Sequence, residues 1–227
     1  MISPQVHSFI HMLFISIIAL FPVINPLGSA LIVNPYLSQL TDADEKIAVK
    51  KITFYAFSIC VTTLFVGHWI LELFGISIPV IQLAGGIMIC KMGWEALSAN
   101  SQKQDAEKNI ENLTNNQVNH ISDKLFYPLT FPITTGAGTL SVLFTLSANS
   151  ADTNWLNYLI NTGAILLAII FMCLLIYGFY GNTKKIVKRL GNNGQIIANR
   201  IIAFLIFCVG LQIAVTGIKN MFGLVTR

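Results

Sequence analysis

Six apolar segments, each long enough to cross a bilayer, constrain this chain more than any other feature. A membrane-spanning helix requires about 20 consecutive apolar residues. Segments at roughly 8–40 (with an interruption), 48–74, 77–98, 125–148, 155–180 and 195–222 reach that length. Composition agrees, with 54% hydrophobic and 11% charged residues and a mean hydropathy of +0.68, whereas a soluble domain carries about 25% charged residues. The expected fold is therefore an all-α membrane protein. The stretch before the first segment has no Lys or Arg, and no small-residue cleavage site follows it, so that segment is expected to be a retained span and not a signal peptide. Residues 98–124 form the only long polar loop, which is expected to be solvated, with room for a short helix.

Lysine and arginine set the expected orientation, because cytoplasmic loops are enriched in both. The first, third and fifth connections hold Lys46, Lys50, Lys51, Lys103, Lys108, Lys124, Lys184, Lys185, Lys188 and Arg189. The opposite side holds only Lys219 and Arg227. A bias of ten to two makes the odd connections cytoplasmic and puts both termini outside.

Two of the spans contain residues that disturb helices. "FPVINPLGSA" (21–30) lies in span one and "FPITTGAGTL" (131–140) in span four; Phe21, Pro22 and Gly28 match Phe131, Pro132 and Gly138 at a constant offset of 110. A weaker echo joins "QLAGGIMIC" (82–90) in span three to "RIIAFLIFC" (200–208) in span six. Three spans per half is an odd number, so the second half is expected to be inverted in the membrane. This divides the chain into a repeat at 1–98, a cytoplasmic loop at 99–124 and a repeat at 125–227. Matched breaks in inverted repeats point to the binding site of a secondary transporter.

The breaks also suggest the chemistry. Pro26 has no N–H and drives Asn25 away from helical angles, while Gly136 and Gly138 permit an unwound turn. Freed backbone groups in hydrocarbon must be buried in protein or line a wet cavity. Second half-helices starting near Gly28 and Gly138 would turn amides and a positive dipole end toward a carboxylate. Carbonyls near Ile24 and Thr134 would take an ammonium group or a cation, and Asn25, Ser29, Thr134, Thr135 and Thr139 add polar side chains. Such a site suits a small zwitterion. The competing reading treats each break as a kink or a close-packing point, since Gly and Pro are common in membrane helices.

The remaining ionisable groups are read at interfaces. His68 and Glu72 share a helix face near Trp69 and are expected to form an interfacial pair, with a proton relay as the alternative. Lys91 and Glu95 are expected to form an ion pair or a snorkelling lysine. Arg200 matches Gln82 by position, which suggests a structural tether near the site. His11 is read as an inert outer histidine. Cys60, Cys90, Cys173 and Cys208 all lie in apolar runs and read as buried hydrophobes, with neither disulfide nor zinc spacing. No metal, cofactor or enzyme activity is expected. The chain also lacks the basic, aromatic face of a nucleic-acid binder.

The motifs "NPLG" (25–28), "PLTFPITTGAG" (128–138) and "IQLAGGIMI" (81–89) resemble the MarC family of integral membrane proteins over essentially the whole chain. Some members of that family are small neutral amino acid transporters. The resemblance implies six spans in two inverted triplets, outward termini, and functional positions at Asn25, Pro26, Gly28, Gly136 and Gly138. Where the family usually has Gly-Pro-Gly, this chain has Gly136-Ala137-Gly138, and Gln82 stands where Arg is usual. The expected function is a carrier of small neutral amino acids or similar small polar solutes in the bacterial inner membrane. It would work by alternating access, with membrane lipid as its surroundings and H+ or Na+ as a coupling ion. The alternatives are an ion channel lined by unwound carbonyls, an export carrier for other small metabolites, or a scaffold.

Overall fold

Two proline-bearing apolar segments are each divided into two helices, at Asn25 and at Thr135–Gly136. A computed structural model describes residues 4–98, 124–150 and 154–223, so the polar loop expected at 98–124 lies outside them except for its two end residues. Eight helices follow in order: α1 (Pro4–Ile24), α2 (Pro26–Leu37), α3 (Asp42–Phe74), α4 (Ile78–Ser98), α5 (Leu125–Thr134), α6 (Ala137–Ser150), α7 (Trp155–Gly181) and α8 (Thr183–Met221). Five stretches are long and apolar enough to cross a membrane, with α1 and α2 counted as one, and the bent pair α5–α6 brings the number to six.

Local chemistry sets the ends. Thr41 caps α3 by accepting from the Asp44 amide at 3.2 Å, and Asp42, Asp44 and Glu45 place negative charge at the positive end of the helix dipole. Gly75 closes α3 in the left-handed region, at φ 63°. Asn154 caps α7 through the Leu156 amide. The span expected at 195–222 is found at Asn193–Met221, and α8 extends back from it to Thr183 across a kink at Gly191, where φ is 60° and ψ 178°.

The packing crosses the chain's midpoint almost everywhere. Helix α4 lies along α8, α1 along α7, and α3 against α6 and α7, while α2 packs on α7 and α8, and α5 on α3. Each of these contacts joins an element before residue 98 to one after residue 125. Among the described residues, the lighter α6–α7 and α7–α8 contacts are the substantial ones within a half. The halves are thus interleaved and do not sit side by side as lobes. The buried core reflects this, gathering Leu20 and Ile24 of α1, Ile52 of α3, Leu129 of α5, Leu143 of α6 and Ile169 of α7. Large apolar side chains such as Phe54, Leu73, Leu174 and Phe204 face outward, as a hydrocarbon surrounding favours.

Close approach of α4 and α8 rests on missing side chains. A Cβ on Gly93 would lie 2.6 Å from the Phe207 nitrogen, and one on Gly210 would lie 2.5 Å from the Cys90 nitrogen. Small residues at such crossings let two backbones meet where lipid supplies no hydrophobic drive for association.

Lys184 at the start of α8 reaches Glu45 at 2.6 Å and Asp42 at 3.2 Å, both in the first turn of α3. The first and fifth connections therefore share one end of the bundle, the grouping that the lysine count requires.

Candidate functional site

The two breaks differ in depth, contrary to the matched unwinding expected from the motifs. In the first span a single residue leaves helical geometry. Asn25 adopts φ 45°, ψ 65°, yet its amide donates to Phe21 O at 2.9 Å and its carbonyl accepts from the Ser29 amide at 2.9 Å. Helix α2 starts at Pro26, two residues before the expected Gly28. Proline suits this position because its missing N–H would have no partner there. The Asn25 side chain then caps the new helix by accepting from the Gly28 amide at 3.0 Å. That amide, expected to face a carboxylate, is already satisfied. Gly28 is required for a related reason, since a Cβ there would collide with the Asn25 side-chain amide.

The second break is a full bend. Helices α5 and α6 meet at 64°, with Thr135 and Gly136 between them. Helix α6 starts at Ala137, one residue before the expected Gly138. Helix α5 is widened, because two pre-proline residues leave helical angles: Tyr127 at φ −121° and Phe131 at φ −117°. Threonine hydroxyls add to the backbone bonding, and the Thr135 amide also donates to Thr130 O at 2.8 Å. Thr130 donates to Leu125 O at 2.7 Å, Thr134 to Leu129 O at 2.7 Å, and Thr135 to Thr130 O at 3.1 Å. The tetrads Tyr127-Pro128-Leu129-Thr130 and Phe131-Pro132-Ile133-Thr134 encode this arrangement directly.

The structure brings both breaks together. A Cβ on Gly138 would lie 2.9 Å from Val23 at the end of α1 and 2.9 Å from Ile89 of α4. Tyr180, near the end of α7, is fully buried, and its hydroxyl lies 2.8 Å from Thr134 Oγ1. The same phenol interacts with the Ser29 side chain. Thr134 already gives its proton to Leu129 O, so Tyr180 is the donor between them. Ser29 in turn donates to Asn25 O at 2.8 Å. All three hydroxyl protons are thus committed, which leaves acceptor lone pairs in the cluster.

Across the bend the polarity reverses. Helix α6 opens with the Ala137, Gly138 and Thr139 amides in its first turn, where a helix has no internal acceptors. Thr139 is fully buried, and its hydroxyl has no hydrogen-bond partner.

Of the residues singled out in the sequence, Pro26, Gly28, Ser29, Thr134, Thr135, Gly136, Gly138 and Thr139 are buried at the junction, and Asn25 is half-buried. Gln82 is buried too, and its side chain accepts from Asn220 Nδ2 of α8 at 2.9 Å. Arg200 is exposed. His68 and Glu72 form an exposed pair at 3.9 Å, and Lys91 and Glu95 another at 3.8 Å. The first pair lines an open cleft of about 410 Å³ with Ser77, Pro79 and Ala148, at the far end of α3 from Glu45. Among the described residues no cluster of three or more His, Cys, Asp or Glu is placed to hold a metal ion.

Tyr180 is the functional candidate that sequence reasoning missed. It is the fourth residue of "YGFYG" (177–181), beside a lysine-rich connection, where a tyrosine reads as an ordinary interfacial anchor. Nothing in its spacing distinguishes an inward hydroxyl from an outward one.

Comparison with known proteins places the chain in a family. The description that matches, MarC family integral membrane protein, covers residues 10–222. A UPF0056 membrane protein of Pyrococcus horikoshii is 26% identical over 90% of this chain and 93% of its own length. The UPF0056 membrane protein YvbG of Bacillus subtilis is 27% identical over 96% and 98%. The UPF0056 inner membrane protein MarC of Escherichia coli is 24% identical over 91% and 94%. No solved structure matches the chain. With its apolar helices, its two interrupted spans and a match over nearly its whole length, the chain is a multi-pass member of the MarC family of integral membrane proteins.

Proposed function

We propose that this protein is a secondary transporter of small neutral amino acids, or of similar small polar solutes, across the inner membrane. One observation carries the reading: two interrupted spans meet at a buried junction whose polar groups are all uncharged and are sorted by polarity. The α6 amides and the Thr139 hydroxyl form a donor end. The Ser29, Thr134 and Tyr180 hydroxyls, whose protons are all committed, form an acceptor end. A carboxylate fits the first through helix N-terminal amides, and an ammonium group fits the second. A further charge on the solute would be stranded without a partner.

The packing bears on how such a carrier moves. Exchanging spans one, two and three with four, five and six maps the main contacts onto one another: α1–α7 onto α3–α5, α2–α7 onto α3–α6, and α4–α6 onto α2–α8. This supports inverted repeats with a pseudo-two-fold relation. Since the halves interleave, the moving bodies are cross-half bundles, with the glycine-packed α4–α8 pair sliding as a unit. Rocking one half against the other would tear nearly every contact.

Complete burial of Thr134, Thr135 and Thr139 favours an occluding carrier over an open pore. Proteoliposome uptake tests the reading, using labelled glycine, alanine and serine against lysine, glutamate and potassium. Saturable flux of the small neutral set is expected. A non-saturating cation current without amino acid flux would make the protein a channel.

A further inference from the structure

A tyrosine at the end of a span usually turns its hydroxyl toward interfacial water. Tyr180 does the opposite. It is fully buried, and its hydroxyl meets Thr134 at the end of α5 and Ser29 in the first turn of α2. Each contact falls within one turn of a break.

Four residues further on, Lys184 reaches Glu45 and Asp42 at the start of α3. The stretch 180–184 therefore crosses from the second half of the chain to the first at two levels. One is the hydroxyl cluster at the breaks, and the other is an ion pair nearer the lysine-rich end. Between them, Thr183 donates to the Tyr180 carbonyl and is itself fully buried. That end of the junction is closed.

We propose that Tyr180 is the positioning residue that holds the site shut toward the lysine-rich end, its phenol occupying the hydrogen-bonding place on Thr134, beside Ser29, that a solute must take. The proposal rests on the carrier reading and adds a competition to it. A solute gains Ser29 and Thr134 only when the phenol lets go. Apparent affinity is then reduced by the fraction of molecules in which it has let go. Hydroxyl hydrogen bonds are individually modest, so losing this pair shifts the open fraction by about tenfold.

Tyr180→Phe keeps the ring and the buried volume and deletes only the hydroxyl. Hydrogen–deuterium exchange is measured on the full-length protein in lipid, for amides 25–30 and 134–140. Exchange about tenfold faster at both breaks is expected, with the α4–α8 amides unchanged. KM for labelled alanine should fall by a similar factor, an effect that a merely structural role would not produce. Thr134→Val removes the same bond from its other side. It should give a like rise in exchange and add little to that rise when combined with Tyr180→Phe, while KM rises because the solute loses the Thr134 hydroxyl. Wild-type exchange at both breaks in Tyr180→Phe, a rise spread over the whole bundle, or full additivity of the two variants would each overturn the proposal. Failure of the carrier reading looks different: wild-type vesicles would show no saturable amino acid flux, while exchange at the breaks would still decide whether Tyr180 closes them.

Discussion

Asn25 Oδ1 accepts the Gly28 amide at 3.0 Å while the Asn25 backbone stands in the left-handed region at φ 45°. One residue must both cap a helix and tolerate a conformation that costs most L-residues about 1–2 kcal/mol. Asparagine does both, because its short side chain reaches the third residue on and it visits this region readily.

Substitutions at Asn25 should separate the two demands. Asn25→Gly keeps the backbone angles and loses the cap, at a few tenths of a kcal/mol. Asn25→Ala loses the cap and gains backbone strain, together about 2 kcal/mol. Thermal unfolding in detergent should rank wild type, Gly and Ala in that order. Equal stability of the two variants would mean that Asn25 is not left-handed.

Gly93 tests the α4–α8 contact. Its absent Cβ would meet the backbone of Phe207 at 2.6 and 2.8 Å, and backbone cannot swing aside. Gly93→Ala should cost about 1–3 kcal/mol by overpacking. Gly163, which has nothing within 4 Å of its missing Cβ, is the control. Its alanine variant should be neutral or slightly stabilising in the same melt, as expected for Gly to Ala within a helix. The same loss at both positions would argue against a tight crossing.

The Lys184 ammonium is held above its ordinary value of about 10.5, chiefly by hydrogen bonding to Glu45 and then to Asp42. A raised value means that the contribution is complete below the ordinary value and fades as pH rises through the folded one. Between pH 6 and 9 this group should leave stability flat, and loosening should start above about 10.5. Lys184→Glu should destabilise at neutral pH by setting three carboxylates together, and adding Glu45→Lys should recover part of the loss. A double variant no better than the single one would remove the pairing.

Topology is tested by reporters fused after Arg227. An enzyme active only when exported should be active there, and one active only in the cytoplasm should be silent. The reverse result would turn the lysine-rich end outward and place the Tyr180 closure on the other face of the membrane.

The spans, the positions of both breaks and the shared end of the first and fifth connections were legible in the residues. Each follows from local rules: apolar length, proline's missing N–H and lysine's preference among loops. The depth of each break was not legible. Both motifs carry prolines and a glycine, yet only the second bends by 64°. In the first, Asn25 and Ser29 carry the hydrogen bonding through the break, whereas in the second the residues before Pro128 and Pro132, Tyr127 and Phe131, both leave helical angles.

The sequence by itself determined a membrane-embedded all-helical chain interrupted at Asn25 and near Gly136, because lipid demands long apolar helices and proline denies them continuity. Only the tertiary structure decided that the halves interleave, that Gln82 pairs with Asn220, and that Tyr180 turns inward to bridge Ser29 and Thr134. These contacts join residues 46 to 151 positions apart. A side chain's direction across such a distance depends on which helix packs beside it, and no local pattern of residues encodes that choice.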